Sequence, residues 1–154
     1  MLNIYNVVDK MEFLREVITL EHDEWAQDKE IDRESRITAK IEKVKKNLSR
    51  NDFCKLILLA DNELIGFISL FPHDCAEYPN LTPWYATMYV KKAYRGRGYS
   101  KYLNDAFICE ALKRKFKVLY LKTTLTNYYE KFGAQWIANI NETEKLYKFD
   151  LSLL

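Results

Sequence analysis

Apolar residues recur along this chain at two spacings, and the switches between them outline a fold. Residues 2–8 alternate weakly and are rich in β-formers, which predicts a first strand. Residues 11–26 carry Phe13, Leu14, Val17, Ile18, Leu20 and Trp25 at roughly helical spacing, and residues 31–48 repeat the pattern through Ile37, Ile41, Val44 and Leu48. Residues 53–60 and 64–71 are β-rich runs on either side of Asp61-Asn62, the signature of a hairpin. A long loop from Pro72 to Pro83 then leads to a buried aromatic strand at residues 84–90.

The second half continues in the same manner. A helix from Ser100 places Leu103, Phe107 and Ala111 on one face and ends near the Lys113 and Lys115 cluster. Residues 118–123 form another buried strand, residues 127–132 a short helix stopped by Gly133, and residues 135–140 with 145–151 a closing hairpin. The predicted order is β-α-α-β-β-β-α-β-α-β-β, an α/β fold on a mixed sheet. Residues 1–154 suit one domain, without internal repeat or linker.

Composition narrows the class. The chain is 48% hydrophobic and 30% charged, the balance of a soluble globular protein. No apolar run reaches the roughly 18 residues of a membrane span, and no signal-peptide core opens the chain. A cytoplasmic location without membrane contact is therefore expected. Cys54, Cys75 and Cys109 are odd in number and lack C-x-x-C spacing, which points to reduced thiols and to no metal site.

The net charge of +2 conceals two local runs. Residues 21–34 hold seven acids against Lys29 and Arg33, a net of −5, and residues 91–101 hold five bases and no acid. Charge runs are usually solvated faces. The basic run differs because two of the chain's four glycines, Gly96 and Gly98, fall inside it. There a strand ends, a glycine-punctuated turn follows, and a helix opens. Backbone N–H groups in such a turn can converge on an anion, the helix N-terminus adds partial positive charge, and Arg95, Arg97 and Lys101 add full charges. A pyrophosphate suits it. Neither G-x-x-x-x-G-K-S/T nor a complete G-x-G-x-x-G is present, so the two commonest phosphate loops are excluded.

The string Arg95-Gly96-Arg97-Gly98-Tyr99-Ser100 resembles the coenzyme A signature of the GNAT superfamily of N-acetyltransferases, Gln/Arg-x-x-Gly-x-Gly/Ala, with Ser100 in the last small position. A second block, Tyr129-Glu130-Lys131-Phe132-Gly133, resembles that family's Tyr-Glu-Lys-aromatic-Gly run after the fifth strand. The likeness extends over roughly residues 56–151. It implies a single GNAT domain in which the fourth and fifth strands splay apart. Pantetheine would lie between them, along unpaired backbone near Met88, Tyr89 and Val90. The pyrophosphate would meet the amides of Arg95, Gly96, Arg97, Gly98, Tyr99 and Ser100. The cofactor implied is acetyl-coenzyme A, and the reaction is direct acetyl transfer to a primary amine of a small molecule or peptide.

On the same resemblance Tyr129 protonates the departing thiolate, with Tyr128 as the fallback. Asn127 either caps the short helix, the reading its residue type favours, or bonds the pantetheine. No base is assigned, because the fourth strand has no carboxylate. His22, Glu24, His73, Asp74 and Glu77 read better as solvated surface. Trp25, Trp84 and Trp136 read as core or cleft wall. The acidic run would favour cationic acceptors if it lines the acceptor cleft, and is otherwise a solvated surface. A monomer or homodimer without nucleic-acid partners is expected. Two other readings are weighed: a basic nucleic-acid module, which lacks any recognised motif, and a catalytically silent acyl-coenzyme A binder.

Overall fold

The computed structural model of the chain describes residues 1–27 and 32–154. Among the described residues, one mixed sheet contains β1 (Leu2–Asn6), β2 (Cys54–Ala60), β3 (Glu63–Phe71), β4 (Trp84–Val90), β5 (Val118–Thr123), β6 (Gln135–Asn139) and β7 (Lys145–Asp150). Three helices accompany it, α1 (Leu14–Trp25), α2 (Arg33–Asn47) and α3 (Tyr99–Lys113). The strands lie side by side as β1-β2-β3-β4-β5-β7-β6. All neighbours are antiparallel except β4 and β5. A parallel pair requires a crossover, and α3 supplies it. No helix among the described residues is long and apolar enough to cross a membrane.

β2 explains why a strand can be apolar throughout. Leu56 and Leu58 join Leu103, Phe107 and Ala111 in the core under α3, while Ile57 and Leu59 join Val17, Ile18, Ile37 and Ile41 in the core under α1 and α2. Successive side chains leave opposite faces, so a strand covered on both sides is apolar at every position. Lys55 breaks that rule: it shares the α1 side with Ile57 and is 0% exposed.

The predicted order of elements holds, and the differences sit at element ends. β1 stops at Asn6, whose side chain accepts the Val8 N–H at 3.1 Å and turns the backbone into a 3₁₀ turn. α1 begins at Leu14 because Met11–Phe13 form a 3₁₀ turn and Phe13, at the cap position, has no side-chain acceptor. The start expected for α2 at Ile31 lies outside the described residues. The expected short helix is a 3₁₀ turn, Tyr129–Phe132, closed by Gly133 at φ 100°. Asn127 does not cap it: Tyr128 holds the cap position without a side-chain bond, and Asn127 precedes it at φ 58°.

β4 and β5 share one ladder position, Trp84 opposite Tyr120, with the Tyr120 N–H donating to the Pro83 carbonyl at 3.0 Å. Beyond it the strands part. From Tyr85 onward the β5-facing edge of β4 has no strand partner among the described residues, and the sheet keeps an opening in its middle.

Candidate active site

The basic turn leaves β4 on the diverging side of that opening. Gly96 (φ 78°) and Gly98 (φ 81°) both occupy the left-handed region that most residues avoid. A Cβ on either would meet nothing within 4 Å, so conformation and not crowding demands glycine there. No N–H of residues 96–101 donates to a backbone carbonyl among the described residues; the first that does belongs to Tyr102, reaching the Gly98 carbonyl at 3.2 Å. Gly98 stands at the N-cap of α3 without a side-chain cap, and the first turn of α3 has no acid. A row of unpaired amides with the positive end of a helix dipole is an anion cradle.

The flanking side chains brace this turn. Arg95 Nε donates to the Val90 carbonyl at 2.8 Å, and its guanidinium lies over the Tyr89 ring at 5.5 Å. Arg97 lies over Tyr94 at 5.6 Å, and Lys101 pairs with Asp105 at 2.6 Å. The Tyr128 hydroxyl donates to Ser100 Oγ at 3.1 Å, tying the second block to the first.

β4 carries an irregularity that the sequence does not reveal. Its register against β3 pairs Phe67 with Tyr89 and Ser69 with Ala86, so Thr87 and Met88 together oppose Ile68. This is a β-bulge. Thr87 sits at φ 47°, a conformation that costs a non-glycine residue on the order of 1–3 kcal/mol and persists only when its surroundings enforce it. The enforcement is a buried polar column. Thr87 Oγ1 donates to Ser69 Oγ at 2.6 Å, and Lys55 Nζ donates to the same oxygen at 2.8 Å and to Glu21 at 2.8 Å. Burial pushes the Glu21 carboxyl up. The Lys55 ammonium, helped by Lys40 and the Thr87 hydroxyl, more than cancels that and leaves it below its ordinary value.

Beyond the bulge the Lys91 N–H donates to the Ile65 carbonyl at 2.8 Å. Backbone groups alternate between strand edges, so those of Met88 and Val90 turn toward the opening while Tyr89 faces β3. The Tyr89 carbonyl also explains Gly66, where a Cβ would approach that oxygen to 2.5 Å.

Tyr129 is 8% exposed and packs edge-on against Tyr85 and Tyr128, with ring centroids 5.7 and 4.8 Å away. Burial raises its hydroxyl well above the ordinary phenol range, which keeps the proton in place at neutral pH. Tyr147 donates to Glu130 at 2.9 Å and fastens the 3₁₀ turn to β7. Asn127 is exposed beside it.

Several surface expectations need correction. His22 is 3% exposed, because α2 covers the last turn of α1. Asp74 is half-buried, and burial pushes its carboxyl up to about 6. Glu24, His73 and Glu77 are exposed as expected. Of the tryptophans only Trp84 is core; Trp25 and Trp136 are 46% and 55% exposed. The acidic run is also largely paired where it is described. Glu21 is buried against Lys55, Asp23 holds Arg33 through two bonds of 2.9 and 2.7 Å, and Glu34 takes Arg33 at 3.0 Å. Asp28, Lys29 and Glu30 lie outside the described residues.

Comparisons with known proteins agree with this geometry. Among solved structures, an N-acetyltransferase from Staphylococcus aureus superposes with a TM-score of 0.71 at 17% identity, over 98% of this chain and 99% of the other. The PaiA N-acetyltransferase of Thermoplasma acidophilum, solved with coenzyme A, superposes with a TM-score of 0.68 at 21% identity, over 97% and 99%. A GNAT acetyltransferase from Elizabethkingia anophelis with acetyl-coenzyme A bound gives 0.63 at 15% identity, over 97% of each chain. No curated protein matches the sequence significantly. The model of the acetyltransferase (GNAT) family matches residues 13–134. That match spans most of the chain, and the chain belongs to the GNAT acetyltransferases.

Proposed function

We propose that the protein transfers an acetyl group from acetyl-coenzyme A to a primary amine of a small molecule or peptide, within a ternary complex. The observation that carries this reading is the row of unpaired amides at residues 96–101 beside the unpaired edge of β4. The amides of Gly96 to Ser100 and the charges of Arg95 and Arg97 would hold the pyrophosphate. The backbone of Met88 and Val90 would pair with the pantetheine, with Tyr89 and Asn127 alongside. Solved neighbours that contain coenzyme A or acetyl-coenzyme A support the assignment. Residues 1–154 are read as one acetyltransferase domain.

Acetyl-coenzyme A supplies a thioester whose carbonyl carbon receives the amine and whose sulfur departs as thiolate. Tyr129 donates its hydroxyl proton to that sulfur as charge develops. The β4 edge beside the bulge offers a backbone N–H to the carbonyl oxygen. The acceptor is assigned no charge preference, since of the described acids of residues 21–34 Glu21, Asp23 and Glu34 are bonded to Lys55 and Arg33, which leaves only Glu24 and Asp32 to confer one.

Two measurements test the reading. Acetyl-coenzyme A at a hundredfold excess over its Kd should add about 2.7 kcal/mol of stability and raise Tm accordingly. Gly98→Asp should abolish that shift, because it sets a side chain at φ 81° and a negative charge in the anion cradle. An equal shift in both proteins would remove the turn from the cofactor site. The second is thiol release over a panel of polyamines, amino acids and peptides, in which at least one primary amine should support turnover. A Tm shift without release from any amine would favour the silent acyl-coenzyme A binder instead.

A further inference from the structure

The face that α1 turns to the sheet ends on a residue that the protein leaves half uncovered. α1 buries Leu14, Val17, Ile18, Glu21 and His22, alternating steps of three and one along a single helical stripe. The next position of that stripe is Trp25, yet it is 46% exposed. Among the described residues its ring meets Tyr89, edge-on, with centroids 6.2 Å apart. Tyr89 follows the bulge directly and is half-buried, stacked on Phe67 at 5.3 Å. The two sides of β4 differ here. On the α3 side Met88 packs against the core of Tyr85, Phe107 and Tyr129. On the α1 side Tyr89 and Trp25 leave aromatic surface open to water. A lone exposed apolar side chain is ordinary, but this pair adjoins the backbone of Met88 and Val90 proposed to hold the pantetheine.

We propose that Trp25 and Tyr89 form a wall of the acceptor site, and that the acceptor is a primary amine carried on an apolar body. The inference rests on the amine-acetylating function proposed above and names its substrate class. Tyr129 belongs to the packed α3 side of β4, so the proton donor meets the thioester from that side. The acceptor then approaches from the α1 side, where Trp25 and Tyr89 stand. Its apolar body covers indole and phenol surface that is otherwise hydrated, which favours binding in proportion to the area covered. Two rings set edge-on also make a corner that takes a flat or extended hydrocarbon. Such surroundings disfavour a charged nitrogen, so the neutral amine, the form that attacks, is favoured at the wall. An amine without an apolar body gains none of this.

The test is kcat/KM for phenethylamine, hexylamine and ethylamine in wild type, Trp25→Ala and Trp25→Phe. Wild type should prefer the two larger amines to ethylamine by about tenfold or more. Trp25→Ala should lose about 10- to 100-fold with the larger amines, mainly through KM, and so lose the preference itself. Trp25→Phe should recover most of it, and both variants should keep the Tm shift with acetyl-coenzyme A. Indole fluorescence gives a readout apart from turnover: phenethylamine added to the coenzyme A complex should change the emission of wild type and not that of Trp25→Phe. A wild type without the preference, or a Trp25→Ala variant that loses equally with all three amines or with none, overturns the apolar wall and leaves the proposed function intact. A wild type that acetylates no amine overturns both.

Discussion

Lys55→Met is expected to destabilise the protein by about 3–5 kcal/mol, the loss typical when one partner of a buried ion pair is removed. Lys55 is wholly buried and the Glu21 side chain is 5% exposed, so neither charge can turn to water when the other is gone. The sign of the pH dependence follows from Glu21. Its folded-state carboxyl lies below the ordinary value, so in wild type the pair contributes above the unfolded carboxylate pKa, and the contribution fades as pH falls through the folded one. Without Lys55 only burial and weaker partners act on Glu21, its carboxyl rises, and the variant should lose stability as pH increases. Urea unfolding at pH 4 and pH 7 would show this: Lys55→Met should fall further below wild type at pH 7. The double variant Glu21→Leu/Lys55→Met should recover most of the loss, since packed apolar residues often replace a buried pair without penalty. A single variant within about 1 kcal/mol of wild type would mean the pair is hydrated in solution.

Tyr129→Phe is expected to lower kcat by about 10²-fold, the lower end for a lost general acid, with the Kd for acetyl-coenzyme A and the Tm nearly unchanged. The ring keeps its contacts with Tyr85 and Tyr128, so only the hydroxyl is removed. Tyr128→Phe serves as the control. It removes the bond to Ser100 and should weaken cofactor binding more than turnover. If Tyr128→Phe carries the fall in kcat and Tyr129→Phe does not, the donor is Tyr128 and Tyr129 is a packing residue.

The sequence signals that worked were local. Helical spacing located all three long helices, and runs of β-forming residues bounded by turns located the strands, including β6, which buries no residue fully. The Asp61-Asn62 hairpin was legible from its residue types, and both adopt left-handed φ values of 50° and 67°. The glycine turn was legible because two glycines so close together limit what the backbone can do. What escaped depends on distance along the chain. Glu21 looked like one acid among seven, since its partner Lys55 is 34 residues away on another element. Asp74 looked like a loop residue, because its burial comes from packing that leaves no periodic trace. Thr87 gave no signal either: a bulge is set by the register between β3 and β4, and threonine is an ordinary strand residue. Asn127 misled by type, as a preferred cap placed one residue too early.

The bulge divides β4 into two reading frames. Tyr85 packs edge-on against Phe107 beneath α3, whereas Tyr89 stacks on Phe67 beneath α1, although an even number of positions separates them. In an unbroken strand both rings would leave the same face. The extra residue thus sends to opposite layers two rings that strict alternation would place on one. Removing Thr87 or Met88 would leave a regular ladder in which each ring keeps its present face, because every other residue of β4 would still oppose its present partner on β3. What the bulge alone provides is therefore local: a bend in β4, two residues where the partner strand has one, and a threonine hydroxyl set against Ser69.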